Sequence, residues 1–232
     1  WGYTFDGIWQ ENEVNAPFVD ANGKTNGKTN GEVYGVKAGN SKYVDVNKDG
    51  QYNDSDQGII GCGQPTFNWG WNNTFNYKNF DFSFFIVGFH GFDIYNATHQ
   101  MGYNIINGQN MAAVTPMREL LNRWTPTNTN TDIPGFINGG VENKVFSDRF
   151  VEDGSFIKMK SITLGYSLPS SVCKAIGISN LRAYFSVQNP FHITGYSGLD
   201  PEAAMGTPLV QGVDWGAYPN SRNYLLGLNF SF

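Results

Sequence analysis

Alternation at every second residue is the feature that most restricts how this chain folds. In "TFNWGWNNTFNYKNFDFSFFIVGFHGFDIYN", Phe67, Trp69, Trp71, Phe75 and Tyr77 fall on one side, and Asn68, Gly70, Asn72, Thr74 and Asn76 on the other. Successive side chains of a strand point to opposite faces, so this reads as a strand with one oily and one small, polar face. Lys78-Asn79 marks a tight turn, and Phe80, Phe82, Phe84 and Ile86 then oppose Asp81 and Ser83 on the returning strand. Phe85, Val87 and Phe89 make the far end of that strand apolar on both faces, which leaves its register open.

Three further stretches repeat the pattern. Ile162, Leu164 and Tyr166 oppose Ser161, Thr163, Gly165 and Ser167, and Pro169 closes that strand because proline cannot donate to a ladder. Leu181, Ala183, Phe185 and Val187 oppose Arg182, Tyr184, Ser186 and Gln188. At the end of the sequence Tyr224, Leu226, Leu228, Phe230 and Phe232 alternate with Leu225, Gly227, Asn229 and Ser231. The opening "WGYTFDGIW" fits either a strand or an extended lead-in.

The connections between these strands are of two kinds. Those at 78–79 and 169–180 are short, and those at 10–65, 97–153 and 189–220 are long. Short and long alternate, which puts every long loop at one end of the strands. Outer-membrane barrels are built this way, with short periplasmic turns and long extracellular loops. Strands of ten to twelve residues, tilted by about 45°, also suit a hydrocarbon layer roughly 30 Å thick. The expectation is an all-β chain: about five or six antiparallel strands of a transmembrane β-barrel spanning residues 1–232. In it 10–65, 97–153 and 189–220 are extracellular loops and 169–180 is a periplasmic turn. The alternative is a secreted or surface-anchored β-sandwich that binds calcium and glycan. A sandwich needs an apolar core shared by two sheets.

Composition agrees with a membrane wall. Charged residues make up only 15% of the chain and aromatics 16%, less charge than a soluble surface usually carries. No apolar run approaches the roughly 18 residues of a membrane helix, but barrel strands hide their apolarity by alternation. The net charge is −5, and without a basic patch nucleic acid is excluded as a partner. The chain opens on Trp1 rather than Met, as expected of a piece of a longer protein.

One local motif is sharp. In "DVNKDGQYNDSD", Asp45, Asn47 and Asp49 occupy positions 1, 3 and 5 of a calcium loop, with Gly50 at the sharp turn. Gln51 offers its carbonyl at position 7, Asn53 a water-bridged contact at 9, and Asp56 the carboxylate at 12. The spacing curls hard oxygen ligands around one point, which predicts Ca²⁺; an Asx-rich turn without an ion is the other reading. Asp at the last position reaches less far than the usual Glu. "AAVTPMRELLNRW" predicts a helix from about Pro116 to Trp124, capped by Thr115, with Leu120, Leu121 and Trp124 as its apolar stripe.

Enzyme chemistry finds no residues to carry it. His90, His99 and His192 occur singly, with no HExxH, no GxSxG and no phosphate loop. Glu152-Asp153 and Asp200-Pro201-Glu202 read as turns. Trp69, Trp71, Phe82 and Phe84 read as lipid-facing, with a sugar-stacking platform as the alternative. Cys62 and Cys173 fall at opposite ends of the strands, too far apart for a disulfide.

Four segments together resemble a known family: the run from "YVDVNKDGQYNDSDQGIIGCGQPTFNWGW" to "GFDIYN", "RFVEDGSFIKMKSITLGYSLP", "LRAYFSVQNPFHITGYSGLDPE" and "GVDWGAYPNSRNYLLGLNFSF". They resemble the C-terminal part of SusC/RagA-type TonB-dependent outer-membrane transporters of Bacteroidetes. The resemblance is weakest over 97–148. It implies a barrel of about 22 strands with an N-terminal plug, placed in the cell outer membrane. It implies import of glycans or peptides with a SusD-like lipoprotein, powered through TonB by way of a part of the protein not contained in these residues. It also implies that Phe232, with Phe230, forms the signal read by the barrel-assembly machinery, and that outer-membrane lipid surrounds the apolar rows.

Overall fold

The structure, a computed structural model, describes residues 1–103, 117–136, 145–175, 177–205 and 211–232. The five alternating stretches form one antiparallel sheet. Its strands are β1 (Phe67–Tyr77), β2 (Phe80–His90), β3 (Phe156–Ser167), β4 (Asn180–Thr194) and β5 (Asn223–Ser231), in spatial order β5-β4-β3-β2-β1. Strand β4 runs six residues past Gln188, where the sequence pattern ends, to Thr194.

The register resolves the open face assignment in β2. Tyr77 pairs with Phe80, Phe75 with Phe82 and Trp71 with Ile86. Phe82 then pairs with Leu164, Leu164 with Phe185, and Phe185 with Leu226. One apolar surface therefore crosses all five strands, and it is open: Trp71 is 53% exposed, Phe230 59% and Leu226 83%. The sandwich reading requires these side chains to be sealed against a second sheet. A lipid-facing wall requires them bare.

The opposite face is small and polar over most of its length. Thr163 and Ser186 hydroxyls meet at 2.8 Å. Arg182 donates from Nε and Nη2 to the two carboxylate oxygens of Asp81, at 2.9 and 2.5 Å. These two residues sit on β4 and β2 and reach over β3, where Gly165 pairs with Asp81 on one side and with Tyr184, two residues from Arg182, on the other. A Cβ on Gly165 would collide with the ion pair, and one on Gly227 would collide with the ring of Tyr184. Each glycine is a floor beneath a neighbour's side chain.

The pairing is irregular at one place. Met159 pairs with Ile86 and Ser161 with Phe85, so Lys160 is a supernumerary residue on β3. Above it the lipid-side residues of β3 are odd-numbered, Ile157 and Met159; below it they are even-numbered, Ile162, Leu164 and Tyr166. The bulge keeps both sets on one face.

The chain divides into two compact units. One comprises Gly63–Ile94, Asp153–Gly212 and Ala217–Phe232, and holds the sheet. The 169–180 turn of this unit contains a short helix, Ser170–Ala175, that buries Cys173. The other comprises Trp1–Cys62, Tyr95–Glu152 and Val213–Gly216. Here the opening residues form two short strands, Gly2–Tyr3 and Phe5–Ile8, paired with Gln57–Gly58 and Ser41–Tyr43. Tyr3, Tyr34, Tyr43, Tyr52, Trp9 and Phe18 pack ring against ring as its core.

The predicted helix at 116–124 needs correction. Thr115 and Pro116 lie outside the described residues, and the described segment is a 3₁₀ helix, Arg118–Asn122. Leu120 and Trp124 are buried, but Leu121 points out at 80% exposure. The 3₁₀ helix ends at Asn122 and Arg123 is extended, so Trp124 lies beyond the helix and the three side chains never share one helical stripe.

Replacing Gly227 by Val should displace Tyr184 and cost about 1–3 kcal/mol. On a gel run without boiling this is read as a lower temperature for loss of the folded band. Gly195→Val, where nothing lies within 4 Å of a Cβ, is the control and should leave that temperature nearly unchanged.

Candidate functional site

The sheet's polar face is the candidate site, and its upper end is organised by a charge cluster. Lys158, on β3, is 2% exposed. Its Nζ donates to Asp200 Oδ2 at 2.8 Å and to Glu202 Oε2 at 2.7 Å. Lys160, carried by the bulge, pairs with the other Glu202 oxygen. Asn220, three residues before β5, donates its backbone N–H and its Nδ2 to Asp200 Oδ2, both at 3.1 Å. Asp200, 3% exposed, therefore accepts three hydrogen bonds on one oxygen, and Glu202 N donates to the other at 3.1 Å.

Burial works to raise both carboxyls, but Lys158 first, then Asn220 at Asp200 and Lys160 at Glu202, outweigh it and hold both below their ordinary values. Sequence reasoning took Asp200-Pro201-Glu202 as a plain turn. The two lysines two residues apart on an otherwise apolar–polar strand were the available signal, because residues i and i+2 of a strand share a face.

Beside this cluster the polar face turns apolar. Val87 and Phe156 are buried, with Phe89 partly so, under Tyr196, Ala204 and Met205, and Phe92 and Ile94 complete the cluster. This accounts for the two-faced apolar end of β2: one face meets the sheet's outer medium and the other meets the chain's own returning loop.

The loop 45–56 is ordered by its own hydrogen bonds. Asp45 Oδ2 accepts from Gly50 N and from the Tyr34 hydroxyl, both at 2.8 Å. Burial and then Asp45 push the Tyr34 phenol far above its usual range. Asn47 Oδ1 accepts from Asp49 N, Asp49 Oδ1 from Gln51 N, and Asn53 Oδ1 from Ser55 N. Asp56 is buried and accepts from Val46 N and Asn53 N. The other oxygen of Asp45 is buried with no hydrogen-bond partner. Among the described residues no three His, Cys, Asp or Glu converge as a metal-holding group.

The remaining sequence candidates are dispersed. Glu152 accepts from Asn96 Nδ2 at 2.9 Å and lies 3.7 Å from His99, whose Nε2 is 3.0 Å from Glu119. His90 stacks on Phe67 on the lipid side of the sheet. Phe230 and Phe232 meet edge to face at 5.5 Å, with Phe232 87% exposed. Cys62 and Cys173 form no disulfide.

No protein-family model matches the chain. It is 32% identical over 239 residues to TonB-dependent receptor P3 of Formosa agariphila, covering 100% of this chain and 22% of that protein. It is 29% identical over 194 residues to TonB-dependent receptor SusC of Bacteroides thetaiotaomicron, covering 82% and 17%. The structure matches the RagAB peptide importer in its closed-closed state with a TM-score of 0.69 at 24% identity, over 100% of this chain and 22% of that one. The open-open state gives 0.68 at 23%. At these identities the structural likeness speaks for the fold alone. The chain spans 22% of the length of the receptor relative it matches along its whole length.

Lys158→Met should leave Asp200 and Glu202 without their shared cation and destabilise the sheet unit by about 3–5 kcal/mol. Because both carboxyls are held low, their contribution is present above about pH 4 and is lost as pH falls through the depressed values. Thermal unfolding of the full-length receptor should therefore show the variant's deficit at pH 7 shrinking toward pH 3.

Proposed function

The chain belongs to the TonB-dependent receptors of the SusC/RagA type, and we propose that it is the C-terminal barrel wall of an active outer-membrane importer. In this reading the rest of the parent protein supplies the plug, the TonB contact and the remaining strands of a barrel of about 22. A SusD-like lipoprotein delivers glycan or peptide from outside, and TonB supplies the energy. The observation that carries the reading is the open apolar surface running unbroken across five strands, backed by a polar surface. In hydrocarbon every backbone group must pair within the protein, so a sheet like this must continue on both sides until it closes.

The residues then have distinct jobs. The lipid-side rows hold the wall in the bilayer, and Asp81, Arg182, Thr163 and Ser186 give the inner wall paired polar groups rather than bare charge. Phe232 and Phe230 present the terminal aromatic signal to the barrel-assembly machinery; outer-membrane lipid is the remaining partner. The chain itself carries out no reaction.

The test is uptake by the parent gene expressed together with a SusD-like lipoprotein. Membranes should contain a band that shifts on boiling, and cells should accumulate labelled oligosaccharide or oligopeptide only when TonB is intact. A soluble product without a heat shift would overturn the proposal. Deleting Phe232 should lower the assembled barrel several-fold while leaving transcript unchanged.

We also propose that loop 45–56 takes up calcium outside the cell, where the ion is millimolar. Its ligands are Asp45, Asn47, Asp49, Asp56, the Gln51 carbonyl and a water on Asn53, and the favouring observation is the buried, partnerless oxygen of Asp45. Asp49 and Asp56 must turn inward to reach it. Affinity near 10⁻⁴–10⁻³ M is expected. Terbium luminescence sensitised by Tyr34 and Tyr52 should appear with the full-length receptor, fall on adding Ca²⁺, and vanish in Asp45→Ala. Emission unchanged by Asp45→Ala would rule the loop out.

A further inference from the structure

We propose that residues 195–205 are a fixed strap, folded inward over the upper barrel wall and locked there by Lys158, rather than a mobile extracellular loop. The proposal rests on the barrel reading above and goes beyond it. Three independent observations meet in this segment.

The first is burial of surface that a water passage would otherwise wet. Val87 and Phe156 are 9% and 2% exposed although they project from the sheet's polar face, because Tyr196, Ala204 and Met205 lie on them. Lifting the strap would bare these side chains to water. The second is the lock. Lys158 is buried between Asp200 and Glu202, and lifting the strap would separate charges that have already lost their water. The third is fixation from the chain beside β4 and β5. Thr194 Oγ1 donates to Ser155 O at 2.9 Å and accepts from Tyr196 N at 3.1 Å where the strap leaves β4. Asn220 binds Asp200 and Glu202 where the chain re-enters β5.

A segment held by all three does not cycle open with each transport event. It narrows the outer mouth permanently and divides the inner wall into two zones. The upper zone is covered. The lower zone, with Asn72, Thr74, Ser83, Thr163, Asp81 and Arg182, faces the interior. Whatever passes this wall meets carboxamides, hydroxyls and a paired charge, with Phe85 and Leu225 exposed among them, which suits a hydrogen-bonding cargo that also carries some apolar surface.

The test is thiol protection in the full-length receptor carrying Cys62→Ser and lacking other accessible cysteines. Val87→Cys reports the covered zone, and Leu199→Cys, at a site 71% exposed, is the reference. A membrane-impermeant maleimide is applied to intact cells and to receptor purified in detergent. Val87→Cys should react at least about 100-fold more slowly than Leu199→Cys, since reaction waits on local opening. Adding Lys158→Met should raise its rate about tenfold or more, while Lys158→Arg keeps it protected. Asn220→Ala, which leaves the charges paired, should raise it less. Labelling of Val87→Cys as fast as Leu199→Cys overturns the strap. Unchanged protection in both Lys158→Met and Asn220→Ala overturns the lock. The boiling shift is read on the same samples: its absence from the parent counts against the barrel, whereas fast labelling with the shift intact counts against the strap alone.

Discussion

Everything in the sheet unit depends on one constraint, the sidedness of a sheet placed between oil and water. A backbone in hydrocarbon has no water to pair with, so its N–H and C=O groups must find each other across strands. Once they do, each residue's parity decides its medium. Trp71, Phe82, Leu164, Phe185 and Leu226 share a surface because pairing aligns their parities across five strands. The outer edges of β1 and β5 have no neighbour within this sheet, which is the geometry of a wall rather than of a closed domain.

The inner surface follows a second tendency: its charges are paired, and its apolar upper end is covered. Asp81 and Arg182 satisfy each other across Gly165, and Tyr184 rests over Gly227. Where β2 and β3 present Val87, Phe89 and Phe156 instead, the chain folds back to bury them. A buried lysine with two carboxylates is a costly way to hold a loop, because three charges must leave water. Its merit is specificity of place. Apolar contacts alone tolerate sliding by a residue or two, whereas Lys158, Asp200 and Asn220 fit one arrangement.

The sequence shows why some of this was legible and some was not. Period-two patterns are local, so β1, β2 and β5 emerged within a residue or two and the faces of β1 and β5 could be read directly, whereas the alternation of β3 was legible only from Ser161, below the bulge that changes its parity. Strand β4 outran its pattern because Asn189-Pro190 resembles a stop, yet Asn189 takes a positive φ and the strand continues. The doubly apolar end of β2 looked like an ambiguity of register. It was a true signal of a covering segment more than a hundred residues away, which no window of neighbours contains. The 45–56 loop was recognisable by spacing alone, but its tether to Tyr34 was not. The lock at Asp200 and Glu202 was hidden for the same reason as the strap: its cations lie some forty residues earlier.

That bulge carries a consequence for how such a protein changes over time. Within a membrane-crossing strand, gaining or losing one residue normally exchanges the oil-facing and water-facing sets, and every side chain beyond the change is misplaced. Lys160 is the exception, because it already stands outside the alternation. A single-codon deletion there would leave Met159 and Ser161 on their proper sides, at the loss of a cation and of the one residue opposite Asn189-Pro190 on β4. This point of β3 is thus the strand's natural splice, where length can drift without ruining the wall.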